Sequence, residues 1–130
     1  MSGFPEIDPG ASGLHARWYA ANRDAGALTA QRCTCGVWRM PARFRCAACG
    51  SDVWSFEPVT PAGTVVSWTV TRRPVHFAFA AVVPYAIVVV VTAEGARFLL
   101  QYRGDPEAVG IGTAVAFGVD GFGVPFATPA

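Results

Sequence analysis

All four cysteines of this chain fall within one stretch of seventeen residues, CTCGVWRMPARFRCAAC. They form two pairs, Cys33-x-Cys35 and Cys46-x-x-Cys49, with ten residues between them, and a glycine follows each pair, Gly36 and Gly50. In a metal knuckle the backbone turns so that its N–H groups point at the thiolate sulfurs, and glycine tolerates the positive φ this turn requires. Two such knuckles on hairpins make the tetrahedral four-cysteine site of a zinc ribbon or rubredoxin-like fold. Paired disulfides belong with an export signal, and a redox C-x-x-C with a βαβ context. The opening MSGFPEIDPGASG has neither the basic nor the apolar region of a signal peptide, and the cysteine flanks are basic and hairpin-like. The expectation is therefore a metal held by Cys33, Cys35, Cys46 and Cys49, with the C-x-C pair making the tighter knuckle. Four thiolates suit zinc or iron, and zinc is expected because nothing points to electron transfer. With four protein ligands no coordination position is left for a substrate, so the role expected is structural.

What such a staple stands in front of is unusually apolar. Hydrophobic residues make up 52% of the 130, charged residues 15%, and the net charge is +1. That composition assigns some apolar surface to a partner, and the small net charge provides no field to draw in nucleic acid or an anionic membrane. The ten basic residues are all arginine, which either serves bidentate recognition of carboxylate and phosphate or reflects a base bias in the coding sequence. The run from Phe77 to Val91 is shorter than the ~20 residues of a spanning helix. Pro84 divides it and its second half is β-branched, so it reads as a strand. A cytoplasmic protein without a membrane span is expected.

The periodicities give a mainly β fold: an N-terminal helix, a rubredoxin-like zinc ribbon, then a small OB-type Greek-key barrel. Residues 1–13 read as a flexible leader, 14–28 as the helical unit, 29–54 as the ribbon and 55–130 as the barrel. Ser12 is placed to cap the helix and Gly26 to end it, with Leu14, Trp18 and Ala21 or Ala25 on its apolar stripe. GTVVSWTVTRR alternates, Val65, Ser67, Thr69 and Thr71 on one face and Val66, Trp68 and Val70 on the other. AIVVVV is apolar without alternation, the pattern of a strand covered on both faces. Turns are expected at Glu94-Gly95 and near Asp120-Gly121. Five or so short strands in about seventy residues remove their exposed edges best by closing into a barrel.

Three segments in order, QRCTCGVWRMPARFRCAACGS, GTVVSWTVTRRPVHFAF and PYAIVVVV, resemble the DUF35 family. Met40-Pro41-Ala42-Arg43 stands where that family shows Phe-Pro-Pro-Arg. The resemblance implies a rubredoxin-like zinc ribbon followed by an OB-fold, and a companion protein in place of a free-standing enzyme. Its implied partner is a thiolase-superfamily enzyme acting on acyl-CoA, either a thiolase or a lipid-transfer-protein-like retro-aldolase of steroid side-chain degradation. A MaoC-like hydratase, to which the domain is fused in some relatives, is a further implied partner.

The residues themselves carry no Gly-x-Ser-x-Gly elbow, no P-loop and no Gly-x-Gly-x-x-Gly, so no catalytic residue is assigned. Candidate contacts to a partner or to acyl-CoA are Arg39 and Arg43 between the cysteine pairs, and Arg72, Arg73, His76, Phe77, Phe79 and Tyr85 around a loop limited by Pro74 and Pro84. Each has a plainer reading. The arginines near the cysteines, Arg32 and Arg45 included, also suit a solvated ribbon surface, and His76 a backbone hydrogen bond. The four tryptophans suit core or interface. Two rival functions remain at this level. A free-standing acyl-CoA-binding protein needs no partner. A nucleic-acid-binding ribbon and barrel needs a strong basic face, against which the net charge argues.

Overall fold

A computed structural model describes residues 3–130. The helix α1 covers Gly13–Ala25, and the amides of Gly26 and Ala27 close its last turn on the carbonyls of Arg23 and Asn22. Ser12 occupies the N-cap in extended conformation, but its side chain makes no capping bond. The helix buries Trp18 and Asn22; Ala25, expected on the apolar stripe, is exposed. Trp18 and Asn22 lie one turn apart on one face, and the asparagine is tolerated because both its oxygen and its nitrogen are hydrogen-bonded.

The ribbon is a three-stranded antiparallel sheet of β1 (Thr29–Cys33), β2 (Trp38–Arg39) and β3 (Trp54–Pro58) in the order β2-β1-β3. Its pairing runs from Cys33↔Trp54 to Thr29↔Pro58. The ribbon sheet therefore extends past the boundary expected at residue 54, because β3 needs β1 to satisfy its backbone.

The remaining strands are β4 (Ala62–Thr71), β5 (Tyr85–Thr92), β6 (Arg97–Tyr102), β7 (Ala114–Val119) and β8 (Pro125–Pro129). They close into a barrel in the order β4-β5-β6-β8-β7. That is the expected OB arrangement, all antiparallel except for the β6–β8 contact. Val65, Val88, Val90, Leu100, Val115 and Ala127 fill the interior. A bulge between Val65 and Ser67 re-phases β4. Beyond it Trp68 and Val70 lie opposite Val88 and Ala86, so they share a face with Val65 and not the opposite one that strict alternation assigned. β5 also departs from expectation. Ala86, Val88, Val90 and Thr92 are buried, whereas Ile87, Val89 and Val91 are only half-buried; its second face is only partly covered.

The segment expected as a leader touches the barrel at Phe4 and Glu6; Met1 and Ser2 lie outside the described residues. The Phe4 ring meets Tyr85 edge-on at 5.6 Å, with the Arg103 guanidinium over it at 5.4 Å. Glu6 Oε1 accepts the Gly121 amide at 2.6 Å. Among the described residues no helix is long and apolar enough to cross a membrane.

Asn22 joins the three units. Its Oδ1 accepts the amide and hydroxyl of Thr29 on β1, at 2.9 and 2.7 Å, and its Nδ2 donates to the Gly123 carbonyl in the β7–β8 turn at 3.0 Å. Gly123 has φ +81°, and a Cβ there would lie 1.9 Å from the Tyr19 carbonyl oxygen. Only glycine lets the turn approach the helix this closely.

Candidate metal centre

β1 delivers Cys33 at its last residue, and the turn that follows delivers Cys35. The second knuckle delivers Cys46 and Cys49 before β3 begins. Gly36 (φ 92°) and Gly50 (φ 74°) take the left-handed backbone the knuckles need, and their amides donate to the carbonyls of Cys33 and Cys46 at 2.8 Å each. Other amides aim at sulfur: Cys35 at the Cys33 thiol, Ala48 and Cys49 at Cys46, and Ser51 at Cys49.

The four sulfurs lie within 4.8 Å of one another. Cys33 Sγ is 3.5 Å from Cys49 Sγ, and Cys35 Sγ is 3.8 Å from Cys46 Sγ. A disulfide requires about 2.05 Å, so the cysteines are free. A tetrahedron with metal–sulfur bonds of about 2.3 Å has edges of about 3.8 Å, which the two closest pairs match. The group can hold a metal ion, and the donor set is that of a closed four-thiolate site.

The electrostatics fit the same reading. The Cys35 amide, against some desolvation, lowers Cys33 to about 6. The amides of Cys49 and Ala48 lower Cys46. At Cys49 the Ser51 amide pulls down, but the Cys33 thiol, burial and the other two sulfurs push it up to about 12. Anionic sulfurs crowded at this range repel, and a divalent cation among them lets all four ionise.

The segment between the knuckles is pinned from below. Buried Gln31 accepts the Arg43 amide at 2.7 Å and donates to the Arg43 carbonyl at 2.9 Å, and Arg39 Nη2 donates to the same carbonyl at 3.0 Å. Arg45 reaches the Gly50 carbonyl at 3.1 Å and braces the second knuckle. Arg32 lies over Trp38 and pairs with Glu57 at 3.6 Å. Of the arginines expected here, Arg43 is exposed and Arg39 half-buried.

The other candidates belong to the barrel, on the segment between β4 and β5 and, for Tyr85, at the first residue of β5. Arg72 forms an exposed ion pair with Glu107 at 3.8 Å, and Arg73 is exposed. His76 Nδ1 accepts the Ala78 amide at 3.1 Å, opening a single 3₁₀ turn at Phe77–Phe79, and its ring stacks on Phe77. Phe77 is 87% exposed and Val75 86%. Phe79 is half-buried against Tyr85. Tyr85, expected as a contact residue, is only 5% exposed in this chain; Phe4 and Phe79 pack against it, so it supports the loop from within. Sequence reasoning missed Asn22 and Gln31, two buried amides. For Asn22 the available signal was a polar residue one turn beyond the buried Trp18.

Residues 56–120 match the family model described as the ChsH2 C-terminal OB-fold domain. Among solved structures, a chain of the Ltp2-ChsH2(DUF35) aldolase shares 30% identity and superposes with a TM-score of 0.80, over 93% of this chain and 98% of that one. A DUF35-family protein of unknown function from Sulfolobus solfataricus, at 14% identity and TM-score 0.60, covers 92% of this chain and 87% of its own and shares the fold. No curated protein matches.

Proposed function

The chain belongs to the DUF35 family, and from that premise we propose that it is a non-catalytic accessory subunit of a lipid-transfer-protein-like enzyme of the thiolase superfamily. That enzyme acts on acyl-CoA, with steroid side-chain CoA thioesters as the substrate class, in the cytoplasm. The observation that carries the reading is the likeness, nearly end to end, to a chain of the Ltp2-ChsH2(DUF35) aldolase. Two local features support it. Val75 and Phe77 stand almost fully exposed beside Arg72 and Arg73, on a segment bounded by Pro74 and Pro84. Aromatic residues on a stiffened loop bind at low entropic cost, and the arginines add recognition of carboxylate or phosphate. The metal in this reading is zinc, closed off by Cys33, Cys35, Cys46 and Cys49, and its work is to fold the ribbon.

The test is co-expression with the aldolase-type enzyme and size exclusion. A heteromer is expected, with the enzyme poorly soluble or inactive by itself. Phe77→Asp should weaken the complex at least tenfold, about 1.4 kcal/mol or more, while the zinc content stays unchanged. A monomeric chain that turns over an acyl-CoA with no other protein present would overturn the reading.

A further inference from the structure

The outer face of β5 is apolar, and Leu99 continues it onto β6 between Arg97 and Gln101. Ile87, Val89 and Val91 alternate with the buried row Ala86, Val88 and Val90, and Leu99, the register partner of Val89, is 71% exposed. On the β4 side this face is flanked by Thr64, Ser67 and Thr69, which pair with Val91, Val89 and Ile87. Isolated exposed apolar residues need no explanation, but here an exposed leucine adjoins a contiguous row of half-buried apolar residues.

Leu99 also lines a cleft of about 460 Å³ where helix, ribbon and barrel meet. His15, Trp18 and Tyr19 of α1, Met40 of the ribbon and Arg97 of β6 contribute to its walls. No carboxylate lines it, and Arg97 has no ion-pair partner among the described residues. The register neighbours on the outer face, Thr64, Ser67, Thr69 and Gln101, are likewise uncharged. A pocket beside an apolar face, with one unpaired cation and no anion, is complementary to an apolar side chain flanked by an acidic residue.

We infer that this face and cleft form a second docking surface, which receives an apolar anchor and an adjacent carboxylate from the partner enzyme. The inference rests on the accessory-subunit reading and adds to it the location and chemistry of a contact separate from the Phe77 loop. A protein fits better than a small ligand because the apolar row continues along β5 outside the cleft, where a small ligand would leave it uncovered.

The experiment uses the full zinc-loaded chain and the partner enzyme, with affinity measured by calorimetry at several salt concentrations. Leu99→Asp and Arg97→Glu are each expected to weaken binding at least about tenfold. Arg97→Gln should flatten the salt dependence, because a charge pair across the interface has been removed. Both sites are exposed, so zinc content and thermal midpoint should match the wild type and exclude misfolding. An unchanged affinity in the double variant Leu99→Asp, Arg97→Glu overturns this inference and leaves the accessory reading standing. If the wild-type chain and the enzyme migrate separately, both fall together.

Discussion

Glu94 shows how one side chain couples distant loops. It sits in the β5–β6 turn, and its Oε2 accepts the amide and hydroxyl of Thr60 at 3.0 and 2.8 Å, holding the connector between ribbon and barrel. Burial pushes its carboxyl up, but the Thr60 hydroxyl and amide outweigh that and hold it below its ordinary value of 4.5. A carboxyl depressed in the folded state contributes stability above its unfolded value, and the contribution is lost as pH falls through the folded one. Glu94→Gln is therefore expected to cost about 1 kcal/mol near neutral pH, and the difference from wild type should shrink toward zero below about pH 4. Urea midpoints for the two proteins across that range check it. Parallel curves would mean that the carboxylate has no special role.

Among the elements, the ribbon is the one whose folding is expected to depend on a metal. Its sheet has one two-residue strand and two of five residues, too little apolar area to order two knuckles unaided. Structural zinc contributes about 10–16 kcal/mol in isolated zinc-finger peptides. Cys46→Ser is expected to lose the metal and become cleavable by protease between residues 33 and 49, read by metal analysis and mass spectrometry. Well-folded wild-type protein without zinc or iron would refute the assignment. Because thiolates, not thiols, bind the ion, loading should weaken as pH falls. This element was the most legible in the sequence, since cysteine spacing and the glycine after each pair are local signals. Gln31 was not legible: its role appears only once the chain folds back and puts Arg43 against it, twelve residues on. The β4 bulge was equally hidden, because Val66 looks like any alternating valine until the pairing with β5 is known.

At the scale of the whole molecule, helix, ribbon and barrel meet at Asn22. Removing its side chain takes a partner from the amide and hydroxyl of Thr29 and from the carbonyl of Gly123. Asn22→Ala is expected to destabilise the protein by about 3 kcal/mol, seen as a lower denaturation midpoint. An effect within about 0.5 kcal/mol, the range of neutral surface changes, would show that packing alone holds the units. The OB order of strands could be read from short alternating runs and turn signals, each a matter of a few neighbouring residues. The docked leader and the three-way joint could not. Their bonds span 115 residues from Glu6 to Gly121 and 101 from Asn22 to Gly123, and no local pattern encodes such a meeting.

The order in which the chain is made adds a consequence of the parallel β6–β8 contact, a seam of two register pairs, Gln101↔Phe126 and Tyr102↔Ala127. Synthesis runs from the N-terminus, so the four cysteines are made before any strand of the barrel. Until β8 is released, β7-β4-β5-β6 is an open sheet with an unpaired edge at each end, and such edges invite pairing with other chains. Closure therefore falls to the last strand of the barrel, and until then the cysteine-bearing ribbon stands in front of an open sheet of four strands.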